Sequence, residues 1–241
     1  MSGHSKWSTI KRKKGELDAK KGKIYTKIGR EITVAVKESG ADPVSNTKLR
    51  DAIAKAKANN MPGDNINRCI KKAAGDNGGV SYEELFYEGY GPGGVAVIVS
   101  VLTDNRNRTA ADVRHYFDKY GGNLGQNGCV MYMFDHKGVI VIENDGRIDE
   151  DELMLQALDA GAEDVEIQSE YFEISTSPSD FSALSKSLED AGHVFLQAEL
   201  SYLPQTQVAL NEDSVKLMEK LIDMLEDNDD VQNVWHNWAE I

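Results

Sequence analysis

The glycines of Gly89-Tyr-Gly91-Pro-Gly-Gly94 stand at the spacing of the G-x-G-x-x-G loop that cradles a dinucleotide pyrophosphate. That loop works by opening a helix whose N-terminal amides meet the phosphates. Here it runs into the β-branched stretch Val95–Leu102, with Pro92 inside the turn. The spacing therefore reads as a turn between strands. The other chemistry-bearing residues are as sparse. His4, His115, His136, His193 and His236 are scattered, without the close pairing that places ligands around one metal ion. Cys69 falls on the apolar side of a helical pattern, and no G-x-S-x-G elbow occurs. The run Glu226–Asp230 (EDNDD) offers a weak divalent-cation site or, in its ordinary role, a solvated helix end. No catalytic residue, metal or cofactor is expected, so the chain reads as non-enzymatic.

Binding chemistry is better represented. Residues 1–75 hold 18 of the 27 Lys+Arg and only 7 of the 40 Asp+Glu, so a basic segment sits inside a chain of net charge −13. Such asymmetry points to a polyanionic partner for the basic part. Lys6, Lys11, Arg12, Lys13, Lys14, Lys20, Lys21 and Lys23 are dense enough to follow a phosphate backbone by counterion release. Trp7, among them, could stack on a base or wedge a groove; a solubilising tail with Trp7 tucked against the fold is the plainer reading. Lys27 and Arg30 continue the series, with Lys55, Lys57, Arg68, Lys71 and Lys72 behind them. In Thr103–Thr109 (TDNRNRT), Arg106 and Arg108 suit phosphate or base-edge contact. They suit equally well an internal pairing with an acidic neighbour domain, with Asp104 and Asn105 capping a helix.

These residues need elements to hold them. Residues 1–22 show little periodicity and read as a basic arm. Ile24, Ile28, Ile32 and Ala35/Val36 recur at helical spacing until Gly40 and Pro43. A second helix is expected over about Asn46–Asn59, and a third with Asp64 as N-cap and Gly75 past its end. The bundle thus spans 23–75, followed by a hinge at Gly75–Gly79. From about residue 80 the pattern becomes strand, turn, buried strand, helix and a Gly-rich hairpin turning at Asn127-Gly128. Residues 135–203 read β-α-β-β-α-β, the ferredoxin-like order, with LDAG and LEDAG marking an internal duplication. The tail supplies a strand, a helix with the stripe Val215, Met218, Leu221, Ile222 and Leu225, and a last strand. The expectation is a multidomain α+β protein in which 80–134 and 204–241 form one domain and 135–203 is inserted into it.

GHSKW near the start, NMPGDNI, YEGYGPGG, DNRNRT, GGNLG, AGAEDV and MLEDNDDVQNVWHN follow one another in the order seen in the YebC/PmpR family, which the whole chain resembles. The resemblance implies a helical N-terminal domain followed by two α+β domains, one inserted into the other. It also implies a cytosolic DNA-binding transcriptional regulator; related members act in translation, on stalled ribosomes and in mitochondria. Two functions follow as expectations: a regulator that binds DNA through its arm and bundle, or a ribosome-associated factor that meets rRNA with the same end. The acidic domains could repel nucleic acid and so orient the molecule, or dock a protein partner. No apolar run reaches the roughly 18 residues of a membrane span. With two distant cysteines and a Lys-rich N-terminus unlike a secretory signal, the cytoplasm is the expected compartment, and no membrane partner is expected.

Overall fold

A computed structural model describes residues 22–75 and 81–239. Two compact units are present: Phe134–Gln205, and the described residues on either side of it, from 22 to Met133 and from Thr206 to Ala239.

In the latter, helix α1 (22–39) buries Ile28, Ile32, Ala35 and Val36 against α2 (Thr47–Ala58) and α3 (Gly63–Gly75). Asn46 joins the first two helices. Its side-chain oxygen caps α2 by accepting from the Leu49 amide at 3.0 Å, and its Nδ2 donates to the carbonyls of Ala35 and Gly40 at 2.7 Å each. The start of α3 differs from the expectation. Asp64 lies inside its first turn, because the Pro62 carbonyl already accepts from Asn65 and Ile66. An acid there still favours the positive end of the helix dipole. Gly75 is the last helical residue and not the one beyond it. The hinge proper, 76–80, falls outside the described residues.

The α+β part of this unit is an antiparallel sheet in the order β3-β1-β2-β8, from Asn123–Leu124, Glu83–Tyr90, Ala96–Thr103 and Val231–His236. Helices α4 (Arg106–Lys119) and α7 (Glu212–Asp227) share its core: Val97, Val99 and Val101 meet Val113, Phe117, Met218, Leu221 and Leu225. Every residue of β2 is buried, which is why its sequence does not alternate apolar with polar residues. The glycines of the loop before it are sterically required. A Cβ on Gly89 would meet the Asn123 carbonyl oxygen at 2.6 Å and Phe117 at 2.8 Å, and Gly93 combines φ +68° with contact against Leu210.

The expected hairpin at Asn127-Gly128 does not form. Beyond the two-residue β3 the chain wraps around Glu88 instead. That carboxylate, 3 % exposed, accepts from the amides of Gly128 (2.5 Å), Val130 (2.9 Å) and Met131 (2.8 Å). Amides occupied by a buried carboxylate cannot also form a strand ladder.

The second unit has strand order β5-β6-β4-β7, all antiparallel, from Asp164–Ile167, Tyr171–Thr176, Phe134–Glu143 and Phe195–Pro204. Helices α5 (Glu150–Asp159) and α6 (Phe181–Asp190) cover one face through Leu153, Ala157, Leu184 and Leu188, packed on Ile140, Ile142, Phe172 and Ile174. This is the split-βαβ, ferredoxin-like arrangement. The repeated Ala-Gly endings have a shared cause. Gly161 and Gly192 follow the two helices at φ +100° and +92°, the left-handed conformation that closes a helix most easily with glycine. The α+β fold class expected from the sequence is the one observed.

Candidate nucleic-acid interface

Lys6, Trp7, Lys11, Arg12, Lys13, Lys14, Lys20 and Lys21 lie outside the described residues. Of Lys23, Lys27, Arg30, Arg106 and Arg108, four converge on one place; the cations behind them, Lys55, Lys57, Arg68, Lys71 and Lys72, lie on α2 and α3.

That place is the C-terminal end of α7 and the turn after it. The last turn of a helix leaves carbonyls without partners and carries the negative end of the dipole. Successive turns of α1 present cations to it. Lys23 pairs with Asp227, and Lys27 Nζ donates to the Glu226 carbonyl at 2.7 Å. Arg30 donates to the carbonyls of Asp229 (2.8 Å) and Leu102 (3.3 Å) and to Asp230 Oδ1 (2.6 Å), and its guanidinium lies 5.5 Å from the centre of the Tyr82 ring. The turn itself is fixed by Asn228, whose side chain accepts from the Asp230 amide at 2.8 Å and donates to the Tyr116 hydroxyl at 3.3 Å.

Asp230 is the hub. It is 4 % exposed and sits just before β8. Besides Arg30 it accepts from Arg108 Nη2 at 2.7 Å, Thr109 Oγ1 at 2.7 Å and Thr103 Oγ1 at 3.1 Å. Burial alone would raise its pKa. The hydrogen bonds from Arg108, Thr109 and Arg30 outweigh that and bring it down to about 2. Arg108 is held from the other side by Asp104 at 2.9 Å, while Asn105 caps α4 by accepting from the Arg108 amide at 3.1 Å. The run Glu226–Asp230 reads in the sequence as a weak cation site or a solvated helix end, yet Asp230 is buried; it, Thr103 and Thr109 come together only because β2, α4 and the 226–230 turn meet. A cleft of about 400 Å³ here is lined by Lys23, Arg30, Asp104, Arg108, Asp112 and residues 227–230. Cations and carboxylates alternate around it, so it offers a polyanion no uniformly positive wall.

Arg106 points elsewhere. Its side chain is 68 % exposed and reaches Glu83 only at 3.9 Å. On the bundle, Lys48 pairs with Glu38 at 2.6 Å and Lys55 with Glu31 at 2.7 Å. The outward side of α3 carries Arg68, Lys71 and Lys72, all exposed. The unit 134–205 holds 17 acids against 3 bases.

Among the described residues no pairing supports nucleophilic or metal chemistry. Burial and the nearby Glu88 charge push the Cys129 thiol up, away from the reactive thiolate. No cluster of His, Cys, Asp or Glu among those residues could hold a metal ion, and no helix among them is long and apolar enough to cross a membrane.

A helical bundle docked on one α+β domain, with a ferredoxin-like unit inserted between that domain's strands, defines a distinctive class of three-part protein. Models of the TACO1/YebC protein N-terminal domain and of the TACO1/YebC second and third domain match residues 5–76 and 82–238. The chain belongs to the TACO1/YebC family. It is 60 % identical over 239 residues to a protein of Acetivibrio thermocellus, covering 99 % of each chain, and 60 % identical over 237 residues to one of Clostridium novyi, covering 98 % and 96 %. Both are named probable transcriptional regulatory proteins. The crystal structure of a conserved hypothetical protein from Aquifex aeolicus is similar over 93 % of both chains, with 44 % identity and a TM-score of 0.83.

Proposed function

We propose that this protein is a non-enzymatic, cytoplasmic regulator of transcription that binds DNA through its basic N-terminal arm and helical bundle. The observation that carries this reading is the placement of 18 of the 27 basic residues in the first 75, against 33 acids in the remainder. A polyanion is drawn to one end and repelled from the rest, which orients approach before any contact is made. The relatives named as probable transcriptional regulatory proteins support the choice of DNA. With no helix-turn-helix or base-reading constellation recognisable in the sequence, binding is driven mainly by phosphates and is strongly dependent on salt.

The test replaces Lys11, Arg12, Lys13 and Lys14 by glutamate and measures affinity for duplex DNA at two salt concentrations, with ribosomes as competitor. Affinity should fall, and the slope of log K against log salt should become shallower by about 0.9 for each phosphate no longer neutralised. Unchanged DNA affinity sinks the reading. Preference for ribosomes, with DNA binding gone at physiological salt, transfers the protein to translation, where the same basic end meets rRNA.

A further inference from the structure

The structure divides the bundle's cations into two groups that look alike in sequence. Lys23, Lys27 and Arg30 are taken up by the end of α7, and Lys48 and Lys55 by Glu38 and Glu31. Arg68, Lys71 and Lys72 are exposed on α3, and none is within ion-pair distance of a carboxylate among the described residues. We propose that the outward face of α3, carried by Arg68, Lys71 and Lys72, is a binding site for the phosphodiester backbone of a nucleic acid. The proposal rests on the nucleic-acid reading above and names the face that reading uses.

Three observations support a site over a merely solubilising surface. First, residues three and four apart on a helix are neighbours, so Arg68 lies beside both Lys71 and Lys72, and like charges so placed repel. Interspersed acids would relieve that, yet α3 has a single acid, Asp64, at its opposite end. The helix dipole accounts for Lys72, in the last turn, but not for Arg68. Second, the span suits the ligand. Four residues of helix cover about 6 Å, and phosphates on one strand of a duplex recur about every 3.4 Å along its axis, so three cations can face two or three phosphates. Third, α3 is held rigidly. Ile66 and Ala73 are in the bundle core, and Tyr25 of α1 donates its hydroxyl proton to the Asn60 carbonyl at 2.7 Å, fixing the turn that leads into α3. For α3 itself, binding then adds mainly the ordering of three side chains. Arg68 is already steadied by a hydrogen bond to Asn65 Oδ1 at 2.9 Å.

The full-length chain is tested as the triple variant R68Q/K71Q/K72Q against K186Q/K216Q/K220Q, which removes the same charge from exposed lysines elsewhere. Probes are a 24-base-pair duplex of arbitrary sequence and purified ribosomes. The α3 variant should bind at least about tenfold more weakly at 0.1 M salt, with a slope shallower by about 0.9 per phosphate released, while the control binds like wild type. The probe whose binding falls further identifies the source of the phosphates. Equal reductions in both variants would show that bulk charge alone acts and overturn the site. Weaker binding by the Lys11–Lys14 variant with no change in the α3 variant overturns the site but keeps the function. If wild type binds neither probe, the function itself falls.

Discussion

Arg30 and Arg68 both project from helices of the same small bundle, and their surroundings are opposite. Arg30 is enclosed by the Asp229 carbonyl and Asp230 carboxylate after α7, the Leu102 carbonyl of β2 and an aromatic ring, with 19 % of its side chain exposed. Arg68 is exposed and, among the described residues, finds the amide oxygen of Asn65 alone. The first is the usual fate of a cation near a helix C-terminus, where it satisfies acceptors the helix leaves unpaired. The second keeps its charge available for a ligand. A count of lysines and arginines thus measures the potential for polyanion binding, whereas the fold decides which charges remain to realise it.

The contrast between the two arginines breaks most sharply at Asp230. Changing it to asparagine leaves the largely buried Arg30 without its carboxylate and Arg108 with Asp104 alone, and should cost about 3–5 kcal/mol in urea unfolding at pH 7. A cost below about 1 kcal/mol would show the hub to be incidental. The same group sets an acid response. Its pKa lies near 2 in the folded chain against an ordinary 3.8, so the native state favours the ionised form. Its contribution is fully present above about pH 4 and fades as pH falls toward 2. Wild type should lose that share over this window, and the Asp230→Asn chain, having nothing there to protonate, should not.

Among the described residues Glu88 is a carboxylate held by three amides and no cation, and it offers a smaller test. In Glu88→Gln one acceptor oxygen becomes an NH₂ group aimed at amides that themselves donate. The expected cost is about 1–3 kcal/mol, with faster hydrogen exchange at Gly128, Val130 and Met131. Unaltered exchange at those three amides would mean that the loop holds itself.

These cases also mark what the sequence could disclose. The helices were legible because their signals are local: Ile24, Ile28 and Ile32 at one spacing, the capping Asn46, and the left-handed Gly161 and Gly192. The ferredoxin-like order followed from a repeat that those two glycines terminate. What was not legible depended on distant partners. The Asn127-Gly128 turn looked like a hairpin because Glu88, forty residues away in the chain, is not visible as a competitor for its amides. Asp64 looked like a cap because nothing in its neighbours announces that the Pro62 carbonyl opens the helix first. Arg30 finds Asp230 two hundred residues away. Of the candidate site, the sign and density of charge were readable in the sequence, and the division of α1 from α3 was not.

Lys23 tests how gradual that division is. It belongs to the inward group, yet its side chain is 45 % exposed and that of Asp227 is 57 % exposed. Water and salt screen such a pair, and two flexible side chains must be ordered to make it, so Lys23→Gln should cost less than about 1 kcal/mol and nothing measurable in 1 M salt. If instead the cost matches that of Asp230→Asn, all of α1's cations are structural and none can be lent to a ligand. If it stays small while DNA affinity also drops, Lys23 serves both partners, and the border between docked and available charge runs between the first and second turns of α1. Unfolding and DNA titration of this one variant, each at low and high salt, separate the two outcomes.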